Sequence, residues 1–193
     1  CLLTIFLFPI LPQYIYIIGG INVVNMLIVV FVIIYMLMYG KVIKPELNNN
    51  IIFYWLFMIM VAIRYLADSE PLKAITYMLA FVLLPWFFIS VIDSESRFIK
   101  VVDTLIAAGF FLGMLGIIEA ICKTNFIQSF AGSNVEFFYD VRYGLRRIMT
   151  TFGQPIAYGL YQVLVIALIN YRMGIAGKKK YLKVCYFISV LNI

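Results

Sequence analysis

Apolar residues in this chain occur in long runs that short polar breaks separate, and the runs are apolar on all faces. A helix of about 20 apolar residues is long enough to cross the hydrocarbon core of a bilayer. It also satisfies its own backbone hydrogen bonds, which a lone strand in lipid would leave unpaired. The pattern therefore predicts an all-α integral membrane protein, a polytopic helical bundle of about seven spans. The predicted spans are residues 1–19, 22–40, 49–67, 72–92, 98–122, 155–173 and 181–193.

Composition supports a membrane location. Of the 193 residues, 65% are hydrophobic and 12% are charged, whereas soluble domains have about 45–50% apolar and about 25% charged residues. The chain begins at Cys1 inside one apolar run and stops at Ile193 inside another. We therefore expect residues 1–193 to form a single transmembrane domain that is truncated at both ends.

The distribution of basic residues predicts how the spans are oriented. Cytoplasmic loops of membrane proteins carry an excess of Lys and Arg. If the link after the first span is outside, nine basic residues flank the inner loops: Lys41, Lys44, Arg97, Lys100, Arg172, Lys178, Lys179, Lys180 and Lys183. Six flank the outer loops: Arg64, Lys73, Lys123, Arg142, Arg146 and Arg147. This orientation makes residues 123–154 a long extracytoplasmic loop.

The outer loop is more basic than the orientation rule favours. It carries four basic residues against Glu136 and Asp140, although outer loops tend to be poor in Lys and Arg. An anion at the outer membrane surface would be a natural partner for this charge. The alternative is that the arginines bind anionic lipid head groups or pair with acids of the loop.

Several residues inside the spans have a structural or a functional interpretation. Gly109, Gly113 and Gly116 fall on one helix face, and small residues of this kind let helices approach closely in lipid. Arg64 and Glu119 lie near the outer ends of their spans. Each either extends to the membrane interface or faces the bundle interior and lines a cavity under the outer loop.

The stretch from Tyr143 to Gly159 reads YGLRRIMTTFGQPIAYG and leads from two arginines into the start of a helix. Pro155 suits the first turn of a helix, where its missing N–H would have been unpaired anyway. Thr150, Thr151 and Gln154 offer polar groups beside the positive end of the helix dipole, which favours a bound anion.

From Arg147 to Pro155 the sequence resembles the O-antigen ligase and polymerase family of bacterial envelope enzymes. That family often has an Arg, two residues, Gly-Thr-Phe, a short polar turn and Pro before a transmembrane helix. This chain reads RIMTTFGQP, so Arg147 falls on the motif arginine, whereas Thr150 stands where Gly is usual. The layout is also similar, because short-looped spans and a Gly-rich span ending near Glu119 precede a basic outer loop.

The resemblance implies a membrane glycosyltransferase that takes glycan from an undecaprenyl diphosphate carrier at the outer leaflet. It implies a lipid-linked oligosaccharide donor and a glycan or lipid acceptor, and neither a cofactor nor a metal. Arg147 would then stabilise the departing diphosphate. Its planar guanidinium binds phosphate oxygens bidentately and stabilises charge that grows in the transition state. The predicted substrate-binding residues are Arg146, Arg142, Thr150, Thr151, Gln154, Glu119 and Arg64.

The same resemblance implies a bacterial inner-membrane protein that contacts membrane lipids and other polysaccharide-assembly proteins, and no nucleic acid. The sequence contains no His, so the base that activates the acceptor is expected in a later outer loop, beyond residue 193. Two other functions remain open. A flippase or exporter of lipid-linked glycan would also need basic groups, but deep in its spans. A non-enzymatic membrane assembly protein would need neither the paired arginines nor the turn.

Overall fold

The structure is a computed structural model. It describes residues 2–12, 16–18, 21–39, 49–67, 71–78, 92, 94–130, 141–142, 145–177 and 179–193. Helices predominate in this part of the chain. They are α1 (Leu2–Ile10), α2 (Val23–Tyr39), α3 (Asn49–Ala67), α4 (Pro71–Met78), α5 (Glu95–Cys122), α6 (Pro155–Ala176) and α7 (Lys180–Leu191), with a 3-10 helix at Phe126–Phe130.

Two short antiparallel hairpins interrupt the helices. Strand β1 (Tyr16–Ile18) pairs with β2 (Ile21–Asn22), and Tyr16 lies opposite Asn22. Strand β3 (Val141–Arg142) pairs with β4 (Leu145–Arg146). The first hairpin falls where an apolar run contains two consecutive glycines, at positions 19 and 20.

The chain divides into two compact units. The first contains residues 16–98 and includes the first hairpin, α2, α3 and α4, of which α3 packs against α4. The second contains residues 2–15 and 99–193, and it includes α1, most of α5, and α6 and α7.

The core of the second unit is formed by three helices. Val102 and Ile106 of α5 pack with Val165 and Ile169 of α6, and with Leu182 and Cys185 of α7. At one end of this core, the Arg172 guanidinium of α6 makes a bidentate ion pair with Asp103 of α5, with N–O distances of 2.6 and 3.0 Å. The pair fixes the last turns of α6 beside the first half of α5.

The predicted glycine face of α5 is confirmed as a helix contact surface. A Cβ atom added at Gly109 would lie 2.5 Å from Val165 Cγ2, and one at Gly113 would lie 2.6 Å from Ile188 Cγ2. At Gly116 the added atom would overlap Asn192 Oδ1 and the Tyr158 hydroxyl. The three glycines therefore let α6 and α7 approach the α5 backbone more closely than any side chain allows.

The prediction of a seven-span bundle is wrong, although the helical class is consistent with the structure. Among the described residues, two helices, α5 and α6, are long and apolar enough to cross a membrane by length and composition. The predicted span 1–19 is instead a nine-residue helix followed by a β-strand. At 1.5 Å per residue α1 is about 14 Å long, which is half the thickness of a hydrocarbon core.

Other predicted spans also give shorter helices. Helices α2 and α7 have 17 and 12 residues, against the roughly 20 that a span needs. Residues 79–91 of the predicted span 72–92 lie outside the described residues. The run 49–67 does form a helix over its full predicted length, but its described apolar part, Ile52–Ala67, falls below the length of a span.

Candidate functional site

Two arginines of the predicted outer loop, Arg142 and Arg146, lie on the β3–β4 hairpin. Arg142 lies opposite Leu145, and Arg146 lies opposite Val141, so the two arginines occupy opposite strands of one short ladder. The structure describes their backbone, whereas their side chains lie outside the described part of the chain.

Arg147 follows β4 directly and its side chain is half-buried. After it the backbone forms a tight turn that ends where α6 begins at Pro155. Thr150 has φ of 46° and Gly153 has φ of 68°, a region in which glycine is at ease and a β-branched residue is strained.

The carboxyl group of Glu119 holds this turn from α5. Its Oε1 accepts a hydrogen bond from the Met149 N–H (3.3 Å), and its Oε2 accepts one from the Thr150 N–H (2.8 Å). Glu119 is 4% exposed, so these bonds form away from water, where leaving two amides unpaired would be costly. Successive amides that converge on one acceptor are a common anion-binding arrangement, and here a side chain of the protein is the acceptor.

Two further hydrogen bonds fix the same turn. The buried Asn125 donates from Nδ2 to the Thr150 carbonyl oxygen (2.9 Å), while its Oδ1 accepts from the amides of Ile127 and Gln128. The Thr151 hydroxyl donates to the carbonyl oxygen of Pro9 in α1 (2.7 Å). The turn is therefore bound to α1, to α5 and to the segment that follows α5.

Aromatic packing and a buried polar chain continue from the turn into the helices. The Phe152 ring lies 6.2 Å from the Tyr158 ring and 5.3 Å from the Tyr161 ring, measured between centroids. The Tyr158 hydroxyl donates to Asn192 Oδ1 of α7 (2.8 Å). Asn192 in turn donates from Nδ2 to the Gly113 carbonyl oxygen of α5 (3.1 Å). These contacts connect the turn to all three helices of the second unit.

The structure brings together four of the predicted site residues in the second unit: Arg147, Thr150, Thr151 and Glu119. The hydrogen bonds of Glu119 and Thr151 described above are made to backbone atoms. Both residues are therefore placed to position the turn. Thr150 is buried, and its hydroxyl has no hydrogen-bond partner among the described residues.

Two other predicted residues do not join this group of side chains. Gln154 is exposed at the N-cap of α6 and makes no side-chain capping hydrogen bond. Arg64 is exposed in the last turn of α3, which belongs to the first unit. The described structure therefore does not place Arg64 with the turn.

Sequence reasoning missed the buried polar side chains that hold the turn and join the three helices, namely Asn125, Tyr158, Gln162 and Asn192. One signal was present. Asn125 follows the Gly-rich span and precedes an apolar residue, as an Asn that caps a short helix does. The others occur as single polar residues inside apolar runs, a position that favours a buried hydrogen bond over exposure to lipid.

Within the described residues, no three His, Cys, Asp or Glu side chains lie together in a group able to hold a metal ion. Neither a family model, nor a curated protein, nor a solved structure matches this chain.

Proposed function

We infer that this chain is part of a membrane glycosyltransferase that transfers or polymerises glycan from an undecaprenyl diphosphate carrier at the outer leaflet, during cell-surface polysaccharide synthesis in bacteria. One observation carries the proposal. Arg147 is half-buried and directly precedes a turn that Glu119, Asn125 and Thr151 fix through buried hydrogen bonds. A guanidinium held in place before the reaction stabilises developing charge without the cost of reorganisation.

The exposed apolar surface supports a location in a bilayer. In the apolar 18-residue window of α5, 39% of the residues are buried within the protein. In the corresponding window of α6, 17% are buried. A core helix of a soluble protein would be mostly buried. Large apolar side chains such as Leu160 of α6 and Phe53 of α3 are about two-thirds exposed, at 66% and 70%. Lipid chains would cover this surface without an energetic penalty.

In the proposed reaction the Arg147 side chain binds the diphosphate, and the backbone amides of the turn hold the turn in place. An acceptor hydroxyl attacks the anomeric carbon of the donor, and its proton passes to a base. The bond between the anomeric carbon and the phosphate oxygen breaks, and undecaprenyl diphosphate leaves with the electron pair. Because the amides of Met149 and Thr150 already bind Glu119, the phosphate oxygens would be bound by Arg147, with Arg146 and Arg142 of the adjacent hairpin as helpers.

The backbone of the turn supports the resemblance on which the substrate class rests. The family motif has glycine where this chain has Thr150, and Thr150 adopts the left-handed conformation that glycine favours. Pro155 begins α6, as the motif implies for its proline. The turn therefore has a backbone conformation that a glycine at this position would adopt readily.

Substitution of Arg147 tests the proposal in cells that depend on the full-length protein. We expect Arg147→Ala to lower glycan output by about 10²–10³-fold, the usual effect of removing one donor that stabilises a transition state. We expect Arg147→Lys to lose most activity as well, since an ammonium cannot bind two phosphate oxygens in a planar fork. Arg97→Lys, on the first turn of α5, is the matched control and should retain full output.

Membrane levels of each variant are compared by immunoblot of a tagged protein, so that loss of protein is separated from loss of activity. The leaflet in which lipid-linked donor accumulates identifies the failed step. Accumulation that an external lectin detects on the outer leaflet agrees with a failed transfer. Accumulation on the inner leaflet would indicate a flippase, and full output from Arg147→Lys at normal membrane level would also refute the proposal.

A further inference from the structure

Helix α7 has two faces of different character. One face is buried in the second unit through Leu182, Cys185, Ile188 and Ser189, which recur at intervals of three or four residues. That spacing places them on one side of an α-helix. The other face is exposed, and its charged and apolar residues occupy different parts of the helix.

The exposed face is basic at its start and apolar beyond it. Lys180 and Lys183 are exposed, and so is Lys179 just before the helix. Val184 and Phe187 follow on the same side, with exposures of 46% and 62%. Because residues three, four and seven apart share a helix face, Lys180, Lys183 and Phe187 form one continuous stripe about 10 Å long.

Asp103, an acidic residue at this end of the second unit, is already paired. Asp103 uses both carboxyl oxygens to bind the guanidinium of Arg172, which lies near the end of α6 and shortly before α7 in the chain. Its charge is therefore compensated by Arg172, and the lysines of α7 add a net positive charge.

We propose that this stripe is a binding site for an anionic phospholipid, with Lys179, Lys180 and Lys183 on the phosphate head group and the acyl chains along Val184 and Phe187. The order of charge and apolar surface matches the order of head group and chain in such a lipid. Basic residues beside a membrane attract anionic lipid, and each contributes about fivefold in affinity. The inference depends on the proposed bilayer location and is independent of glycosyl transfer.

Fluorescence quenching by brominated lipid tests the site in the full chain. The two tryptophans of the sequence are replaced by Trp55→Phe and Trp86→Phe, and Phe187→Trp provides a reporter on the stripe. The protein is reconstituted in brominated phosphatidylcholine, and unbrominated phosphatidylglycerol is then titrated in. We expect phosphatidylglycerol to displace the quencher with a preference of at least fivefold over phosphatidylcholine.

A pair of charge-matched variants separates a local site from net charge. Lys180→Gln with Lys183→Gln should lower the preference at least fivefold, whereas Arg97→Gln with Lys100→Gln, which removes the same charge from α5, should leave it unchanged. Far-UV circular dichroism of both variants checks that the helices remain folded. An equal loss in both variants would overturn the inference.

The remaining outcomes distinguish this inference from the proposed function. Quenching without preference for phosphatidylglycerol refutes the lipid site and leaves the bilayer location intact. A lack of quenching in brominated phosphatidylcholine refutes both the bilayer location and the lipid site.

Discussion

At the scale of single residues, the turn after Arg147 depends on an unusual backbone conformation at Thr150. A β-branched residue with φ of 46° carries about 1–2 kcal/mol of strain. Its side chain is also buried, and its hydroxyl has no partner among the described residues. The neighbouring Thr151 is equally buried, but its φ is not in the left-handed region and its hydroxyl donates to the carbonyl oxygen of Pro9.

The contrast between these threonines predicts opposite responses to glycine. In Thr150→Gly, relief of strain and removal of a buried hydroxyl that has no partner among the described residues offset two costs. These are the greater chain entropy of glycine, about 0.5–1 kcal/mol, and the loss of two buried side-chain carbons, about 1.6 kcal/mol. We expect its free energy of unfolding to stay within about 1 kcal/mol of the parent. Thr151→Gly has the same two costs, gains no relief and also loses a hydrogen bond of about 1 kcal/mol, so it should be destabilised by about 3–4 kcal/mol. Titration with SDS in mixed micelles measures both values.

Thr151→Ser is the control for the hydrogen bond, because it keeps the hydroxyl that donates to Pro9 and removes only a methyl group. It should lie between the parent and Thr151→Gly. If Thr150→Gly proved as destabilising as Thr151→Gly, the left-handed conformation at Thr150 would not be a source of strain.

Residue-level sequence reasoning identified Glu119 but not its role. A carboxyl group near the end of an apolar run is conspicuous in any sequence. Its partners are the amides of Met149 and Thr150, about 30 residues further along the chain. A backbone amide has no signature in the residue type, so pattern reasoning identified the acid and could not identify what it binds.

At the scale of elements, the glycines of α5 determine how closely the three helices of the second unit pack. This feature was predictable because spacing alone puts Gly109, Gly113 and Gly116 on one face. The partners were not predictable, since they come from two helices, α6 and α7. Each glycine faces a different atom set, with Val165 at the first position and Asn192 at the last.

Gly109→Ala should therefore destabilise the packing of α5 against α6. A methyl group there would lie 2.5 Å from Val165 Cγ2, and overpacking of this kind costs about 1–3 kcal/mol. Gly159→Ala in α6 is the matched control, because nothing lies within 4 Å of the added atom. It should stabilise the protein by about 0.5–1 kcal/mol through helix propensity. Thermal unfolding in detergent compares the two.

A second substitution shows whether the clash is with Val165. Val165→Ala removes both methyl groups that crowd the added atom, so the double variant should be more stable than the sum of the two single effects. Strict additivity would place the source of destabilisation somewhere other than the contact between α5 and α6.

The positions of helices were predicted better than their lengths. The run 49–67 and the helix start at Pro155 agree with α3 and α6, because a polar break, or a proline in the first turn, defines those helix ends. The run 1–19 is different, because Pro9 and Pro12 interrupt an otherwise apolar stretch. Hydropathy averages over such positions, whereas the backbone responds to each one, and α1 ends at Ile10.

At the scale of the whole molecule, the two ends of the second unit carry different features, an ion pair at one end and the turn after Arg147 at the other. Asp103 and Arg172 mark one end of the α5–α6 pair. The other end has the turn, because Glu119 lies one helical turn before Cys122 and binds Met149, two residues after Arg147. Cys122 is exposed, whereas Cys185 is buried. If α5 and α6 cross a bilayer as proposed, reagents that reach Cys122 report on the side that Arg147 occupies.

Membrane-impermeant maleimide added to intact cells should label Cys122 in a variant in which Cys1 and Cys185 are replaced by serine. The basis is the charge that flanks the two candidate spans, α5 and α6. Seven basic residues lie near the start of α5 and near or after the end of α6, against four in the stretch between the two helices, so the end of α5 is predicted to be extracytoplasmic. A matched variant has Lys179→Cys as its sole cysteine, at an exposed position before α7, and should be labelled only after permeabilisation. The reverse pattern would put Arg147 in the cytosol, where no outer-leaflet diphosphate is within reach. It would exclude the proposed transfer while leaving the packing of α5 against α6 and α7 unaffected.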